Sequence, residues 1–138
     1  MTRSDEAILD TSAVILLGRI PPAELPRTPR ITAITLAELA VGPLVAKREE
    51  ERLTRQARLL QAQVDFDPIP FDDQAARMFG TVSANLRQLG RKSASRTYDA
   101  LIAAIAVARG LPLYTCNPRD FDGIDSLSVV AVPMPGTS

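Results

Sequence analysis

Short apolar runs that alternate with longer segments of helical periodicity constrain this chain's fold more than any other feature. Each run has the length of a buried strand and ends at polar or turn-forming residues; the runs are 7–9, 31–34, 113–115 and 129–132. The longer segments place apolar residues three or four positions apart, as amphipathic helices do. Buried strands separated by helices are typical of a parallel sheet. We therefore predict an α/β fold whose sheet is mostly parallel.

Helix and loop boundaries follow from capping and turn residues. Thr35 and Glu38 have the spacing of a capping box, which predicts a helix that starts there and ends before Gly42-Pro43. Asp72 is a candidate N-cap for a later helix. The remaining predictions are helices at 46–63 and 98–109, loops at 21–30 (with four prolines) and 91–96, and a short strand or extended link at 66–71.

Length and composition restrict the size and the compartment. The length of 138 residues suits one domain, and we expect residues 1–138 to form it. Cys116 is the only cysteine, so no intramolecular disulfide can form and a reducing compartment is expected. The first ten residues lack the apolar core of a signal peptide, and the longest apolar stretch, 100–108, is far shorter than the roughly 20 residues of a membrane span. We expect a cytoplasmic protein that does not associate with membranes.

The sequence contains no histidine, which excludes several kinds of active site. Ser-His-Asp triads, Cys-His proteases, histidine-based ribonucleases and His-containing zinc sites are all ruled out. A single cysteine cannot build a thiolate metal site, and no glycine-rich phosphate-binding motif is present. The 16 acidic and 16 basic residues cancel, so nucleic acid would have to be held by local basic patches or by bound metal. Carboxylates are the main remaining candidates for chemistry.

Four acidic residues stand near the junctions between the predicted strands and helices. Asp10 ends the first strand, Glu38 lies near the start of the helix after the second, Asp99 begins the helix before strand 113–115, and Asp120 follows that strand. Ligand sites of parallel sheets lie at the carboxyl ends of strands, so the four could converge on one edge. Taken singly, each acid is explained at least as well by helix capping, by the helix dipole or by a local turn. Their coincidence at one edge favours a functional site.

Four segments carry a resemblance to a known family. In chain order they are Ile8-Leu9-Asp10-Thr11-Ser12-Ala13, Ile34-Thr35-Leu36-Ala37-Glu38-Leu39, Tyr98-Asp99-Ala100-Leu101-Ile102-Ala103-Ala104 and Leu113-Tyr114-Thr115-Cys116-Asn117-Pro118-Arg119-Asp120-Phe121. With them the chain resembles the PIN-domain family, and within it the VapC toxins of bacterial type II toxin–antitoxin systems. The ordered set spans nearly the whole chain and is far more specific than any one segment.

The resemblance implies a fold, an activity and partners. The fold would have three layers, with a five-stranded parallel sheet in strand order 3-2-1-4-5 flanked by helices. The activity would be that of a Mg²⁺-dependent endoribonuclease, with Mn²⁺ as a second metal that could serve. The partners would be an RNA substrate, a second copy of the chain in a homodimer, and a VapB-type antitoxin whose C-terminal segment occupies the active site.

The resemblance also implies roles for individual residues. The acidic quartet that binds the metal would be Asp10, Glu38, Asp99 and Asp120. Asp10, Asp99 and Asp120 would bind the ion, and Glu38 would orient or deprotonate the attacking water. The residues that match supporting positions beside the metal are Thr11, Thr115 and Asn117, the last close enough in sequence to share the role of Asp120. Oxygen ligands of this kind are what Mg²⁺ prefers, and metal-activated water is a nucleophile suited to phosphodiesters.

Basic residues before Asp99 are candidate contacts to the phosphates that flank the cleaved bond. They are Arg87, Arg91, Lys92 and Arg96. A solvated basic loop and helix end explain them equally well.

Four other functions compete with this one, and the first two fit the sequence worse. Response-regulator receivers and haloacid-dehalogenase-type phosphatases also place an aspartate after strand one, but Lys47 and Lys92 are badly placed for the first, and the second need D-x-D. A PIN module without catalytic activity would bind RNA or a protein partner. A PIN nuclease could also act outside any toxin–antitoxin pair. Metal-dependent turnover and a small antitoxin-like reading frame upstream distinguish these two from the toxin.

Overall fold

Four strands and five α-helices form the part of the chain that the computed structural model describes, residues 5–90 and 94–133, and four of the helices lie in sequence between the second and third strands. The strands are β1 (Glu6–Leu9), β2 (Thr28–Arg30), β3 (Leu113–Thr115) and β4 (Val129–Ala131). The helices are α1 (Thr11–Ile15), α2 (Ala33–Val45), α3 (Glu49–Asp65), α4 (Asp73–Gln88) and α5 (Ala94–Arg109). Short 3₁₀ turns lie at Leu17–Arg19, Pro22–Glu24 and Pro118–Phe121.

The sheet is parallel throughout, with strand order β2-β1-β3-β4. From β1 the chain moves outward to β2 and then crosses back to β3 on the other side of β1. This reversal leaves a crevice at the carboxyl ends of β1 and β3, which is where α/β sheets place their ligands. The predicted α/β class and parallel sheet are confirmed.

Helices cover both faces of the sheet because the central strands are buried on both sides. Along β1, Ala7 and Leu9 belong to the core shared with α1, α2 and α3. Ile8 between them belongs to the core shared with α4 and α5. This alternation is the period-two pattern of a strand, and it produces the predicted three layers.

The sheet has four strands and not the five that were predicted. The missing strand is reduced to one parallel bridge between Thr32 and Ile69. There the Ile69 N–H donates to the Ile31 carbonyl at 2.9 Å, and the Ala33 N–H donates to the Ile69 carbonyl at 2.8 Å. Prolines flank Ile69 at 68 and 70, where a strand position would face away from this bridge, and such outward positions at a sheet edge tolerate a missing N–H.

The second strand lies earlier than predicted. It occupies Thr28–Arg30, inside the segment predicted to be a loop, and α2 already begins at Ala33, so residues 31–34 are not a strand. Proline is tolerated in β2 because β1 is its only neighbour in the sheet. Thr32 is the N-cap of α2, and its Oγ1 accepts a hydrogen bond from the Thr35 N–H at 3.2 Å. The capping box predicted at Thr35 was therefore wrong.

Helix α2 also continues beyond its predicted end. It runs to Val45 with Pro43 inside its last turn. The carbonyl of Gly42, near that end, accepts a hydrogen bond from Arg55 Nη1 of α3 at 3.0 Å. A side-chain donor thereby satisfies one of the carbonyls that a helix end leaves without a backbone partner.

Helix α5 starts at Ala94, four residues before its predicted start. Arg96, predicted to lie in a loop, is therefore helical, and Asp99 stands in the second turn and not the first. The middle of the helix, from Ile102 to Ala106, is almost completely buried, and its small alanines allow close packing on the sheet. Within the described residues, no helix has both the length and the apolar character needed to cross a bilayer.

Candidate active site

The four predicted acids are carried by four separate elements around the crevice. Asp10 directly follows β1, and its N–H donates to the Tyr114 carbonyl of β3 at 3.0 Å. Asp120 lies in the 3₁₀ turn that follows β3. Glu38 and Asp99 are each the sixth residue of their helix, α2 and α5 respectively. Topology thus brings together acids separated by up to 110 positions in sequence.

Asp10 is buried and held by donors on both carboxylate oxygens. Its Oδ1 accepts from Ser12 Oγ at 2.7 Å and from the Ala13 N–H at 3.0 Å, so it is the N-cap of α1. Its Oδ2 accepts from Thr115 Oγ1 at 2.6 Å. Thr115 Oγ1 in turn accepts from the Asn117 N–H at 2.9 Å. The carboxylate is fixed between the first helix and the end of β3.

Glu38 is half-buried and is held by hydroxyl groups. Thr11 Oγ1 donates to Glu38 Oε1 at 2.7 Å and lies 3.0 Å from Thr35 Oγ1. Since Thr11 adjoins Asp10, the second turn of α2 is tied directly to the end of β1. One hydroxyl therefore sets the distance between two of the four acids.

Asp99 and Asp120 share a single arginine. Arg96 Nη1 donates to Asp120 Oδ1 at 2.5 Å and lies 3.7 Å from Asp99 Oδ2, one turn away on α5. The Arg96 and Asp99 side chains are about three-quarters buried, with 30% and 22% exposed respectively. This guanidinium offsets part of the negative charge on the α5 side of the crevice.

The charges of the four acids act on one another. Burial and the charges of Asp120, Asp10 and Glu38 together raise the pKa of Asp99 to about 7, against the opposing charge of Arg96. Burial likewise raises the pKa of Asp10 against the hydrogen bonds from Thr115, Ser12 and Ala13, and Asp120 adds to the rise. Burial and then Asp10 raise the pKa of Glu38, with Thr11 opposing. These mutual effects show that the acids share one site.

The donor set fits a divalent cation by its chemistry. Four carboxylates and several hydroxyls are oxygen ligands, and the excess negative charge that raises the pKa of Asp99 is what such an ion would neutralise. In the arrangement described, no group of three or more acidic or cysteine side chains among residues 5–90 and 94–133 is positioned to hold an ion. The carboxylate oxygens instead accept bonds from hydroxyls, an amide and Arg96.

The other predicted site residues lie at various distances from the acids. Thr11 and Thr115 are in direct contact with them. Asn117 is exposed and connected to the site through its backbone, with its N–H on Thr115 and its carbonyl accepting from the Asp120 N–H at 3.0 Å. Arg87 is exposed at the end of α4. The last two predicted residues, at positions 91 and 92 (Arg91 and Lys92), lie outside the described residues.

Two site residues were not assigned from sequence. Ser12 donates to Asp10 and accepts from the Cys116 N–H at 3.2 Å, so it links the start of α1 to the segment after β3. Thr35 is fully buried against Thr11, although it was interpreted only as a helix cap. The run of hydroxyl residues after Asp10 signalled the first role. Nothing local signalled the second, because it depends on packing between α1 and α2.

Comparison with known proteins gives a consistent result. The PIN domain family profile matches residues 7–127. Ribonuclease VapC5 of Mycobacterium tuberculosis is 38% identical over 128 residues, covering 91% of this chain and 92% of that protein.

Two solved structures share the fold. The crystal structure of VapBC-5 from Mycobacterium tuberculosis, a member of the VapBC family of toxin–antitoxin systems, superposes with a TM-score of 0.79 and 35% identity, covering 93% of this chain and 99% of that chain. DNA-bound VapBC from Salmonella typhimurium gives a TM-score of 0.73 and 26% identity, covering 91% and 97%. From its sequence and its fold, the chain belongs to the PIN-domain family, in the branch of the VapC proteins.

Proposed function

We propose that this protein is a metal-dependent endoribonuclease and the toxin half of a VapBC-type toxin–antitoxin pair. The observation that carries the proposal is the meeting of four carboxylates from four elements at the crevice between β1 and β3. Burial and the other three acids raise the pKa of one of them, Asp99, to about 7. Such an accumulation of like charge is costly to the fold, and it is typical of functional sites. A relative bearing the name ribonuclease VapC5 supports the activity.

The metal would be Mg²⁺, with Mn²⁺ as an alternative, held by Asp10, Asp99 and Asp120. When bound, the ion would activate a water molecule and offset the charge of the phosphodiester. Asp10 is ready for this role because Thr115 and Ser12 already fix its orientation. Asp99 and Asp120 would have to release Arg96 from its present contacts, after which its guanidinium is free to approach a phosphate of the RNA.

Glu38 would orient the attacking water or accept its proton. Its raised pKa, caused first by burial, strengthens it as a base relative to an exposed carboxylate. The Thr11 hydroxyl leaves Glu38 Oε2 available, since its bond is to Oε1. Thr11 thus acts through Glu38, as a positioning residue.

The proposed protein partner is a VapB-type antitoxin, as in the VapBC complexes that share this fold. Two helices expose large apolar side chains that such a partner would cover. Leu44 of α2 and Val64 of α3 are 85% and 81% exposed. Val41 and Val45, beside Leu44 on α2, are also more than half exposed, and contiguous apolar surface of this kind marks interaction sites. Replacing both residues with lysine should abolish the complex and leave cleavage by the free toxin intact. We also propose a homodimer and a cytoplasmic location.

The test of the nuclease is cleavage of total cellular RNA by the purified, antitoxin-free protein. Mg²⁺, Mn²⁺ and EDTA are compared for the wild-type chain and for Asp99→Asn. Asp67→Asn is the matched control, since Asp67 is an exposed carboxylate on the link between α3 and α4. We expect discrete fragments with metal, none with EDTA, and a loss of at least about 100-fold in Asp99→Asn only. A folded wild-type protein that cleaves no RNA would favour a PIN module that binds RNA or a partner without cleaving.

A further inference from the structure

Arg58 of α3 is half-buried, and within the described part of the chain no acidic side chain forms a salt bridge with it. Among the described residues, 5–90 and 94–133, it makes neither a hydrogen bond nor an ion pair. An arginine without such partners keeps its N–H donors available for a ligand.

The other arginines at this end of the molecule show what a structural role looks like. Arg52 pairs with Glu49 at 2.5 Å on the exposed side of α3. Arg55 lies 3.9 Å from Glu51 and also donates to the Gly42 carbonyl, so it joins α3 to α2. The sequence explains why Arg58 differs, since positions 54, 55, 61 and 62, three and four residues away on the helix, carry no acid.

Arg58 borders a cavity that reaches the proposed active site. The cavity has a volume of about 370 Å³ and lies between α1, α2 and α3. Thr11 and Glu38 form its wall on the side of the acids, and Arg58 lies on α3. An anion bound in this cavity would therefore lie between the guanidinium and the residue proposed to act on water.

The anion that fits best is a phosphate of the RNA itself. RNA carries one phosphate per nucleotide, so a strand cleaved at the acids brings neighbouring phosphates to the adjoining cavity. A net charge of zero provides no general positive field to hold it, so individual cations must do so. Arg96, once released by metal, would meet a phosphate beside Asp99 and Asp120 and does not line this cavity, while Arg55, which does, is engaged by Glu51 and Gly42. A guanidinium can form a bidentate contact with phosphate oxygens.

We propose that Arg58 binds an RNA phosphate beside the cleaved bond, in the cavity that it shares with Glu38 and Thr11. This inference rests on the proposed function and extends it to a substrate contact. The same arginine borders a cavity of about 500 Å³ that Glu50 and Glu51 line, and a groove of about 330 Å³ between α1 and α3, where Asp65 accepts a hydrogen bond from Gln61. Protein partners could occupy that groove, which makes a carboxylate of a partner the competing ligand.

The experiment compares Arg58→Gln with Arg52→Gln, a control on the same helix that removes an equal charge from its exposed side. Both are made in an Asp99→Asn background, so that RNA is bound without being cut. A labelled single-stranded RNA of about 20 nucleotides is titrated at salt concentrations from about 50 to 200 mM. We expect Arg58→Gln to weaken binding about tenfold and to reduce the slope of log K against log salt by about 0.7, with Arg52→Gln near the parent.

Turnover is measured separately with Asp99 intact. We expect Arg58→Gln to raise KM and leave kcat close to wild type, with Arg58→Lys intermediate because it keeps the charge and loses the bidentate contact. If wild-type protein cleaves no RNA while the loss of affinity holds, Arg58 keeps its assignment and the nuclease proposal fails. If wild-type protein cleaves and Arg58→Gln matches Arg52→Gln in affinity and salt slope, the phosphate contact is overturned and a partner's carboxylate becomes the better ligand.

Discussion

The two sides of the acidic crevice are stabilised in different ways. On the β1 side, three donors from within the fold satisfy Asp10, and its carboxylate caps α1 at the same time. On the α5 side, Asp99 faces three other acids, and among the described residues its ion pair is with one shared arginine, at 3.7 Å. Asp10 is therefore fixed in place by the fold, although burial still raises its pKa, whereas Asp99 is a charge that the fold tolerates.

This difference separates two requirements that one acidic site must meet. A ligand for a metal must be placed accurately before the ion arrives, and hydrogen bonds do this for Asp10. The site must also have an unsatisfied charge, or it would gain nothing from binding the ion. Asp99 supplies that charge at a cost to the stability of the metal-free protein.

The largest expected effect is on the free energy of unfolding, which Asp10→Ala should lower and Asp99→Ala should raise. Asp10→Ala removes an N-cap and leaves buried hydroxyls without their acceptor, so it should lower the free energy of unfolding by about 2 kcal/mol. Asp99→Ala removes from a helix a charge that its neighbours repel, so this variant should raise the free energy of unfolding by about 1 kcal/mol. Urea denaturation in EDTA at pH 7 measures both. Changes of the same sign would show that the two sides are stabilised alike.

The second prediction concerns pH. The folded protein holds the pKa of Asp99 near 7, above the ordinary value of 3.8, so between these values it binds more protons than the unfolded chain. Stability from this group is thus fully present below about pH 4 and is lost as the pH rises to 7. The slope has a ceiling of about 1.4 kcal/mol per pH unit for one proton. Denaturation in EDTA from pH 4 to 8 should show that the free energy of unfolding of wild type falls relative to that of Asp99→Ala as the pH rises.

Metal should reverse that loss. At an Mg²⁺ concentration ten times its dissociation constant, wild type should gain about 1.4 kcal/mol in the free energy of unfolding. Asp99→Ala should gain much less, because it lacks both a ligand and the charge that the ion neutralises. Thermal denaturation with Mg²⁺ and with EDTA at pH 7.5 measures the difference. Equal gains in both proteins would place the ion elsewhere.

A structural feature could be predicted from the sequence where the residues of its own segment mark it, and could not where it depends on a neighbouring element. The acids at the end of β1 and in the turn after β3 could be located because strand ends are marked by apolar runs that stop at polar residues. The bounds of β2 could not, since a strand of Thr, Pro and Arg looks like a loop and forms only because β1 lies beside it. Likewise, Ile69 forms a single bridge with Thr32, and the prolines at 68 and 70 make that segment look like a loop in the sequence.

The same distinction applies to the site. Asp10, Thr115 and Thr11 were assigned from the segments that carry the resemblance; Thr115 contacts Asp10 and Thr11 contacts Glu38, and their roles stay predictions. The position of Arg96 on two acids could not be predicted, because it depends on where α5 begins. The free charge of Arg58 was also missed, although the absence of acids one turn away on α3 can be read from the sequence. What is missing from the sequence is which helix faces which.

The smallest expected effect compares two threonines that differ in burial. Thr115 is fully buried between Asp10 and the Asn117 N–H, so Thr115→Val removes a donor from Asp10 Oδ2 and the acceptor of the Asn117 N–H and should cost about 1 kcal/mol. Thr11 is half-buried, so Thr11→Val lets water replace its hydroxyl and should cost about 0.5 kcal/mol. Urea denaturation measures the stabilities, and cleavage kinetics measure whether Thr11→Val lowers kcat by releasing Glu38. If Thr11→Val costs as much stability as Thr115→Val, the Glu38 side is held as rigidly as the Asp10 side. The boundary between the fixed half and the tolerated half of the site would then lie between Glu38 and Asp99.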